Sequence, residues 1–369
     1  MDKQNSKTYF ITGGGTGGHI YPALAVFEEL LKQNTFNKLF YIGNPNNLEY
    51  SIVTSKGYNF LPVNVSGMPR TASFQFILWG IKLFFAIFKS CYYILKYKPN
   101  AIFGTGGYVS APTVIAGKIL KVPYILHDCD AKPGLVTRKL STGAKSISLA
   151  FEDAKFFINN KNIYINGNPI RKDFQTLTKE NALKNLGLEN KLTLCVMGGS
   201  QGAKSINNAT VKILKTLSEQ NIQVIFQTGK RNFDEVETQL TQIYPEYKNN
   251  KNIIVRPYFE DMISVLKASD ITVARSGSLS LSEICASNVA SILVPYPHAA
   301  SDHQRINARF MEAHGASIYL EDEDTTSEKL LELILSLINN PEKLKKLQEN
   351  AKNLAKYDGV EKIIEQLGA

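Results

Sequence analysis

The sequence predicts an α/β protein made of two Rossmann-like, doubly wound domains that face a cleft. A β-type run, a glycine-rich turn and an apolar-periodic helix open the chain, and the same order returns near residue 192. Length supports two domains, because 369 residues exceed what one hydrophobic core ordinarily organises. Open α/β sheets bind ligands beyond the carboxyl ends of their strands. The two glycine turns are therefore the candidate sites.

The first glycine turn, residues 13–18, follows the β-type run 8–11 and precedes a helix predicted over 21–31. Glycines let the backbone approach a ligand closely, and a helix start offers N–H groups and a positive dipole end that suit a phosphate. No carboxylate follows the next strand, 39–42, so the G-x-G-x-x-G spacing does not indicate NAD. His19 is the titratable group expected to face the ligand. A tight turn without any ligand is the alternative.

Basic residues are concentrated in one region of a chain with a formal charge of +9. No acidic residue lies between Glu49 and Asp128, whereas this window holds Lys56, Arg70, Lys82, Lys89, Lys96, Lys98, Lys118 and Lys121. Such a patch ordinarily meets nucleic acid or an anionic membrane. The four cysteines lack C-x-x-C spacing and no signal peptide opens the chain, which favours a cytoplasmic protein without disulfides or structural zinc.

The apolar segment 74–95 decides between these two partners. Lys82, Lys89 and Lys96 recur every seven residues and so line one face of a helix. They interrupt the roughly 20 apolar residues that a spanning helix needs, and the bulky aliphatics between them disfavour nucleic acid. We expect an aromatic face with a basic rim, seated in a membrane interface. The alternative is a buried core helix with snorkelling lysines.

Three further motifs precede the second half. A glycine turn occupies 104–108, and the strand-like run 124–126 leads into His127-Asp128-Cys129-Asp130. A D-x-D pattern beside a histidine is one form of divalent-cation site, but such triplets are common by chance and no metal is expected. Pro169 breaks any regular element and marks a crossing between domains, with Arg171 available to an anion.

The second half repeats the opening pattern with a strand over 192–197, a glycine turn over 198–203 and a helix over 206–217, followed by strands near 224–226, 253–255 and 271–273. Small hydroxyl residues and amides in the turn 276–283 suit a phosphate, and Glu283 suits a ribose diol. The alternative for Glu283 is a first-turn acid favoured by the helix dipole. Residues 302–307 are polar enough to grip a sugar, whereas the acidic run 321–324 is predicted to be solvated surface.

Together these motifs resemble glycosyltransferase family 28 of the GT-B superfamily, and within it the peptidoglycan enzymes that add N-acetylglucosamine to lipid I to make lipid II. The resemblance covers essentially the whole chain. Each motif alone is weak, but their order is specific: GGGTGGH at 13–19, GTGGY at 104–108, PGL at 133–135, GNPIR at 167–171, GGSQGA at 198–203, RSG-x-x-x-x-SE at 275–283 and HQ…NA at 303–308.

The resemblance implies a GT-B fold, inversion at the anomeric carbon, UDP-N-acetylglucosamine as donor and lipid I (undecaprenyl-diphospho-muramoyl-pentapeptide) as acceptor. It implies no cofactor, no required metal, no nucleic acid, and a peripheral seat on an anionic membrane surface at the cytoplasmic face of the bacterial inner membrane. The acceptor and membrane domain would comprise residues 1–167, completed by a final helix within 357–369. Residues 168–356 would form the donor domain.

Particular residues acquire roles from the resemblance. The donor sugar and the acceptor diphosphate would lie against Thr16, Gly17 and Gly18. The donor diphosphate or sugar would contact Arg171 and Ser200, and the uracil would contact the backbone of Phe259. The remaining donor contacts would come from Gln304, which reads sugar hydroxyls, and from Ser278, Leu279, Ser280, Leu281, Ser282 and Glu283.

The catalytic base would be His19 or Asp128. The positive helix end favours a neutral imidazole at His19, as a base requires. The family loop H-E-Q-N departs from its pattern here and reads His127-Asp128-Cys129-Asp130. The acid is one methylene shorter, and Asp130 can accept a bond from a sugar hydroxyl but no longer donate one.

Two other functions stay open at this point. Another GT-B UDP-sugar enzyme, an epimerase or a different lipid-linked sugar transferase, would share the second-half motifs but have no need of the apolar segment 74–95. A nucleotide-binding membrane adaptor would bind the UDP-sugar without turnover.

Overall fold

The computed structural model describes residues 6–69, 74–199 and 201–368, which fall into two compact units. The first unit comprises Met1–Ile170 with Lys356–Ala369, and the second comprises Arg171–Ala355. The chain therefore passes from the first unit to the second between Ile170 and Arg171, and it returns between Ala355 and Lys356.

Within the described residues, the first unit contains a seven-stranded parallel sheet in the order β3-β2-β1-β4-β5-β6-β7. Its central strands are short apolar runs with almost every side chain buried, as expected when helices cover both faces of a parallel sheet. The strands are β1 (Thr8–Thr12), β2 (Lys38–Gly43), β3 (Phe60–Pro62), β4 (Ala101–Gly104), β5 (Tyr124–Asp128), β6 (Ser146–Leu149) and β7 (Ile163–Ile165).

Helices connect these strands, as parallel pairing requires. They are α1 (Gly17–Gln33), α2 (Leu48–Ser55), α3 (Phe74–Tyr97), α4 (Gly107–Ile119) and α5 (Leu135–Leu140). The helices α1 and α4 begin directly after the two glycine turns, so both helix starts lie at the carboxyl edge of the sheet.

The described part of the second unit repeats this plan with six parallel strands in the order β10-β9-β8-β11-β12-β13. The strands are β8 (Thr193–Met197), β9 (Gln223–Gln227), β10 (Ile253–Arg256), β11 (Ile271–Ala274), β12 (Ala290–Leu293) and β13 (Ser317–Tyr319). The helices are α6 (Asp173–Thr176), α7 (Lys179–Leu186), α8 (Lys204–Glu219), α9 (Phe233–Ile243), α10 (Met262–Ala268), α11 (Ser278–Ser287), α12 (His303–Ala313), α13 (Ser327–Ile338) and α14 (Pro341–Leu354).

The last helix, α15 (Gly359–Leu367), returns to the first unit. Its apolar side is buried in the same hydrophobic cluster as α1 and β1, through Val360, Ile363, Ile364 and Leu367. Gly359 is required at its start, because a Cβ there would lie 2.8 Å from the Asn166 carbonyl oxygen.

Each sheet has one point where the order of strands reverses, between β1 and β4 in the first and between β8 and β11 in the second. In doubly wound sheets this switch point opens the crevice that receives a ligand. The prediction of two Rossmann-like doubly wound domains is confirmed.

Helix α3 is not a core helix, so that alternative is wrong. Only Ala86, Ser90, Tyr93 and Ile94 are buried, while Phe84 and Phe85 are 65% and 64% exposed. Lys82, Lys89 and Lys96 are exposed as well. By length and composition alone, α3 is the one helix among residues 6–69, 74–199 and 201–368 that would suffice to span a membrane, despite its lysines.

Candidate active site

The switch point of the first sheet is formed by the two glycine turns. Thr12 at the end of β1 pairs with Gly104 at the end of β4, and a turn leaves each strand there. Gly15 has a φ of +85°, a backbone conformation that favours glycine. Its N–H donates to the carboxylate of Glu49 at 3.1 Å, and the Tyr41 hydroxyl donates to the Gly13 carbonyl at 2.8 Å. The first turn is therefore held from beneath.

The start of α1 directs backbone N–H groups out of this turn. The first N–H groups of a helix have no acceptor within it. In α1 the Thr16 carbonyl already accepts from His19 at 3.1 Å and Ile20 at 3.2 Å. The open donors are thus those of Gly17 and Gly18, two of the residues that the sequence assigned to the acceptor diphosphate.

His19 is fixed in one tautomer by the second glycine turn. Its Nδ1 lies 2.8 Å from the backbone carbonyl oxygen of Thr105, and a carbonyl can only accept. Nδ1 therefore carries the proton and Nε2 carries the lone pair. The Thr105 hydroxyl also donates to the His19 carbonyl at 2.6 Å. A half-buried imidazole with a defined lone pair is the arrangement that a general base needs.

Asp128 is engaged with its own loop. It ends β5 and is 1% exposed, and its two oxygens accept the N–H groups of Asp130 at 3.3 Å and Gly134 at 3.0 Å. Burial, followed by the nearby Asp130 charge, raises the pKa of Asp128 to about 7. With both oxygens on backbone donors, this carboxyl shapes the loop, and it is the weaker candidate for the base.

His127 is a buried structural residue that the sequence left without a role. Its Nε2 meets the Asn168 side-chain oxygen at 3.1 Å, and its Nδ1 meets the Ser148 hydroxyl at 3.0 Å. Burial lowers the pKa of His127 to about 4, so the ring is neutral. The Asn168 amide also donates to the Cys129 carbonyl at 3.4 Å. Asn168, from the GNPIR motif, thereby ties the 127–130 loop to the end of the unit.

These bonds weaken the metal alternative at this loop. The side-chain ligand atoms of Asp128, Cys129 and Asp130 lie within 4.8 Å of one another. His127, which made the pattern suggestive, has both nitrogens bonded to Ser148 and Asn168. A divalent-cation site here would have to do without a histidine.

The second sheet has its own glycine turn at its switch point. Gly199 and Gly202 both have a φ of +83°. A Cβ on Gly229, in the turn after β9, would lie 2.1 Å from the Gly202 nitrogen, so the two turns touch backbone to backbone. Ser200, a predicted donor contact, lies outside the described residues.

The start of α11 is the second group of open N–H donors. The helix is preceded by Gly277, whose carbonyl accepts the Leu281 N–H at 3.0 Å. The N–H groups that precede Leu281 have no acceptor within the helix. Leu281 is 1% exposed and packs in the core, and the Ser282 hydroxyl donates to the Ser278 carbonyl at 3.2 Å. Of the predicted run 278–282, Leu279 and Ser280 offer backbone donors to a phosphate.

Glu283 lies in the second turn of α11, so the first-turn alternative is wrong. The side chain is half-buried and forms no hydrogen bond with any other residue that the structure describes. Burial raises the pKa of Glu283 to about 7, opposed by the positive charge of Arg171. A carboxyl held in a poorly solvated place without a bonded partner suits a ligand hydroxyl. Arg171 itself is exposed.

Two predicted donor contacts have part of their hydrogen-bonding capacity occupied. The Phe259 N–H donates to the Gln227 side-chain oxygen at 2.9 Å, which leaves its carbonyl for a ligand. The side-chain oxygen of Gln304 accepts the Tyr296 N–H at 3.0 Å. Gln304 therefore keeps its amide NH2 group to donate to a sugar oxygen.

Arg275 organises the second site, which sequence reasoning missed. Its guanidinium donates to the carbonyls of Val294 and Pro295 and to Asp322 at 2.5 Å, and it reaches the Ser205 hydroxyl at 3.4 Å. The prediction of a solvated acidic run at 321–324 is wrong for Asp322, which is paired here, and for Glu321, which is paired with Arg305, whereas Glu323 and Asp324 are exposed as predicted. The available signal for this ion pair was a basic residue, Arg275, in a turn motif, together with an acidic run at 321–324 later in the sequence.

Two Rossmann-like sheets, each with a glycine turn and open helix N–H groups at its switch point, define a nucleotide-sugar enzyme of the GT-B fold. Models of the N-terminal and C-terminal domains of glycosyltransferase family 28 match residues 9–149 and 193–366. The chain belongs to glycosyltransferase family 28.

Known proteins similar to this chain carry related activities. It is 36% identical to the UDP-N-acetylglucosamine–N-acetylmuramyl-(pentapeptide) pyrophosphoryl-undecaprenol N-acetylglucosamine transferase of Thermoanaerobacter sp. (strain X514), over 96% of this chain and 97% of the relative. The crystal structure of Acinetobacter baumannii MurG matches with a TM-score of 0.81 and 25% identity, covering 98% and 99% of the two chains. The Neisseria meningitidis UDP-GlcNAc 2-epimerase bound to UDP-GlcNAc shares the fold alone, at a TM-score of 0.67 and 14% identity, with the same coverage.

Proposed function

We propose that this protein transfers N-acetylglucosamine from UDP-N-acetylglucosamine to the 4-hydroxyl of the muramoyl sugar of lipid I, with inversion, to give lipid II for peptidoglycan synthesis. The observation that carries the proposal is the single tautomer of His19, a residue of the first turn of α1 at the carboxyl edge of the first sheet. The relatives' names support the two substrates.

His19 is the base in this proposal. Attack by the 4-hydroxyl requires loss of its proton to a group with a lone pair within hydrogen-bond reach. The Nε2 of His19 meets that need, whereas both Asp128 oxygens are bonded to backbone N–H groups. The acceptor diphosphate lies against Thr16, Gly17 and Gly18, where open N–H groups and the positive end of α1 favour an anion.

The donor is bound by the second unit. Glu283 accepts hydrogen bonds from the ribose diol, Phe259 contacts the uracil through its backbone, and Gln304 donates to a sugar hydroxyl oxygen. Asp130, from the first unit, accepts from another sugar hydroxyl. The diphosphate lies near Arg171, Ser200 and the start of α11. As UDP leaves, these N–H groups and the guanidinium stabilise the growing negative charge, so the step needs no metal.

We infer that the protein is peripheral, at the cytoplasmic face of the cell membrane, and that α3 is the contact. Two hydrogen bonds tie α3 near its two ends to the chain between Pro62, at the end of β3, and Ser66. The Trp79 indole N–H donates to the Ser66 carbonyl at 3.0 Å, and the Tyr93 hydroxyl donates to the Pro62 carbonyl at 3.2 Å. A helix tied at both ends to a folded unit lies along the bilayer surface instead of crossing it. Its exposed aromatic side chains and the lysines beside them suit an anionic interface.

One incubation distinguishes this function from its rivals. The purified protein is mixed with radiolabelled UDP-N-acetylglucosamine and a lipid I analogue, and the products are separated. Lipid-linked disaccharide with UDP supports the proposal. UDP or an isomerised sugar formed without acceptor would indicate an epimerase, and binding without turnover would indicate an adaptor.

A further inference from the structure

A fully buried carboxylate lies directly beneath the first glycine turn. Glu49 is 0% exposed, and its oxygens accept the N–H of Gly15 at 3.1 Å and of Asn44 at 3.2 Å. At two positions that pack against Glu49, only glycine fits. A Cβ on Gly14 would lie 2.5 Å from the carboxyl carbon of Glu49, and one on Gly43 would lie 2.9 Å from its Cγ.

This burial is costly for a charged group. An ionised carboxylate in an apolar interior is unfavourable unless it is paired or hydrogen-bonded. Glu49 forms no ion pair with any residue in the described ranges. Its compensation comes from the two backbone N–H groups and from its place in the first turn of α2, where the helix dipole favours an acid. A neutral side chain of similar size would fill the same space without that cost.

The two bonds determine which N–H groups the turn presents to a ligand. The Gly15 N–H faces inward to Glu49, so the crest of the turn does not offer it to a phosphate. The donors left facing outward are those of Gly17 and Gly18 at the start of α1. The Tyr41 hydroxyl also holds the turn by donating to the Gly13 carbonyl. The negative charge of Glu49 also disfavours an anion on the inner side of the turn.

We propose that Glu49 is a positioning residue for the acceptor diphosphate. It fixes the glycine turn so that the N–H groups of Gly17 and Gly18 are aimed at the phosphates, and it touches neither substrate. This inference rests on the proposed function, because it assumes that the acceptor diphosphate lies at the start of α1.

The structure separates the role of Glu49 from that of His19. His19 is held from the β4 side by two hydrogen bonds with Thr105, and neither passes through Glu49. Loss of the Glu49 bonds therefore loosens the diphosphate site while the base keeps its partner. The expected signature is a large change in the acceptor KM with a small change in kcat.

The test compares Glu49→Gln with the wild-type enzyme in the disaccharide assay. Glutamine has nearly the same shape, but it turns an NH2 group towards one of the two N–H donors. The acceptor KM should rise at least about tenfold, as for a lost charge-assisted hydrogen bond, with kcat within about threefold and the UDP-N-acetylglucosamine KM within about twofold. Glu28→Gln is the matched control, since Glu28 pairs with Lys56 at 2.9 Å and accepts from the Tyr58 hydroxyl at 3.3 Å but bonds neither Gly15 nor Asn44, so the change should alter neither constant.

Two results would overturn the inference. One is an unchanged acceptor KM in a Glu49→Gln protein that folds; the other is an equal loss for donor and acceptor, which would mean general loosening. If Glu49→Gln does not fold, Tyr41→Phe removes only the bond to the Gly13 carbonyl and should raise the acceptor KM in the same selective way. Absence of turnover in the wild type would count against the proposed function and not against the role of Glu49. In that case, calorimetric binding of the lipid I analogue to the wild type and to Glu49→Gln tests the role of Glu49 alone.

Discussion

His19 and Thr105 hold each other by two hydrogen bonds across the switch point of the first sheet. The His19 Nδ1–H donates to the Thr105 carbonyl at 2.8 Å, and the Thr105 hydroxyl donates to the His19 carbonyl at 2.6 Å. One bond sets the tautomer and the other sets the position of the helix start. The ring therefore carries its proton on Nδ1 and its lone pair on Nε2, as the proposed role of His19 as base requires.

Replacing His19 with alanine should lower turnover by roughly 10²–10⁴-fold, the usual cost of losing a general base, while UDP affinity changes little. Asp128→Asn should do less harm to the rate, because Asp128 supports its loop through backbone bonds. Single-turnover rates of the two variants decide the matter. A slower Asp128→Asn than His19→Ala would transfer the role of base to Asp128.

Glu283 should couple donor binding to pH. A ribose diol donates to the ionised carboxylate, and the pKa of Glu283 is raised to about 7 by burial. UDP affinity should therefore fall as pH drops below about 7, and Glu283→Gln should bind UDP at least about tenfold more weakly with a flatter pH profile. Calorimetry from pH 5.5 to 8.5 measures both, and comparison with the wild type cancels the titration of UDP itself. Equal affinities would remove Glu283 from the donor site.

The same group has an opposite effect on stability. The folded protein binds the Glu283 proton more tightly than the unfolded chain, so wild-type stability falls as pH rises from about 4.5 to about 7, by on the order of 1–3 kcal/mol. Glu283→Gln lacks that loss and should melt higher than the wild type at pH 8 but not at pH 4.5. A variant that is more stable yet binds UDP poorly is the expected mark of a residue kept for its ligand.

Arg275→Lys should weaken the donor site although Arg275 is not proposed to touch the donor. A lysine keeps the charge but has one nitrogen where the guanidinium has two, so it cannot combine the Nη1 bonds to the Val294 and Pro295 carbonyls and Asp322 with the Nη2 contact to Ser205. We expect a loss of about 1–3 kcal/mol in stability and a weaker grip on UDP-N-acetylglucosamine, measured by melting and calorimetry. Arg309→Lys, which alters an exposed pair with Glu312, is the control. Wild-type values for Arg275→Lys would contradict the assigned role.

Replacing Lys82 and Lys89 with glutamate should release the protein from anionic vesicles. Each basic residue near such a surface contributes about 1 kcal/mol, screened by salt, so release should be greatest at low ionic strength. Because both side chains are exposed, the melting point and the activity on a short-chain soluble acceptor should be nearly unchanged. The pair Lys212 and Lys215 on α8, also exposed, provides a control of equal charge. Vesicle binding equal to the wild type would refute the interfacial role of α3.

Much of this fold could be predicted from local sequence patterns. The strand, glycine turn and helix sequence at residues 8–31 and its return at 192–217 predicted both sheets, because backbone conformation and buried apolar runs are local properties. The open donors at Gly17 and Gly18 follow from the same logic, since a helix start always leaves N–H groups without acceptors.

What escaped prediction depends on contacts between distant segments. The hydrogen bond from the Gly15 N–H to Glu49 joins the turn after β1 to the first turn of α2, and Arg275 pairs with Asp322, which lies in a different loop. No short pattern announces either pair. The exposure of α3 was the preferred prediction, but the sequence could not exclude a core helix, because an apolar helix shows the same pattern whether its partner is a core or a membrane.

The central claim is an inverting transfer to a lipid-linked muramoyl sugar, and the product tests it most directly. Purified protein with UDP-N-acetylglucosamine and a lipid I analogue should give one UDP for each disaccharide, and proton NMR of the new anomeric centre should show the β configuration. Retention of the α configuration, UDP released without disaccharide, or no product at all would contradict the account.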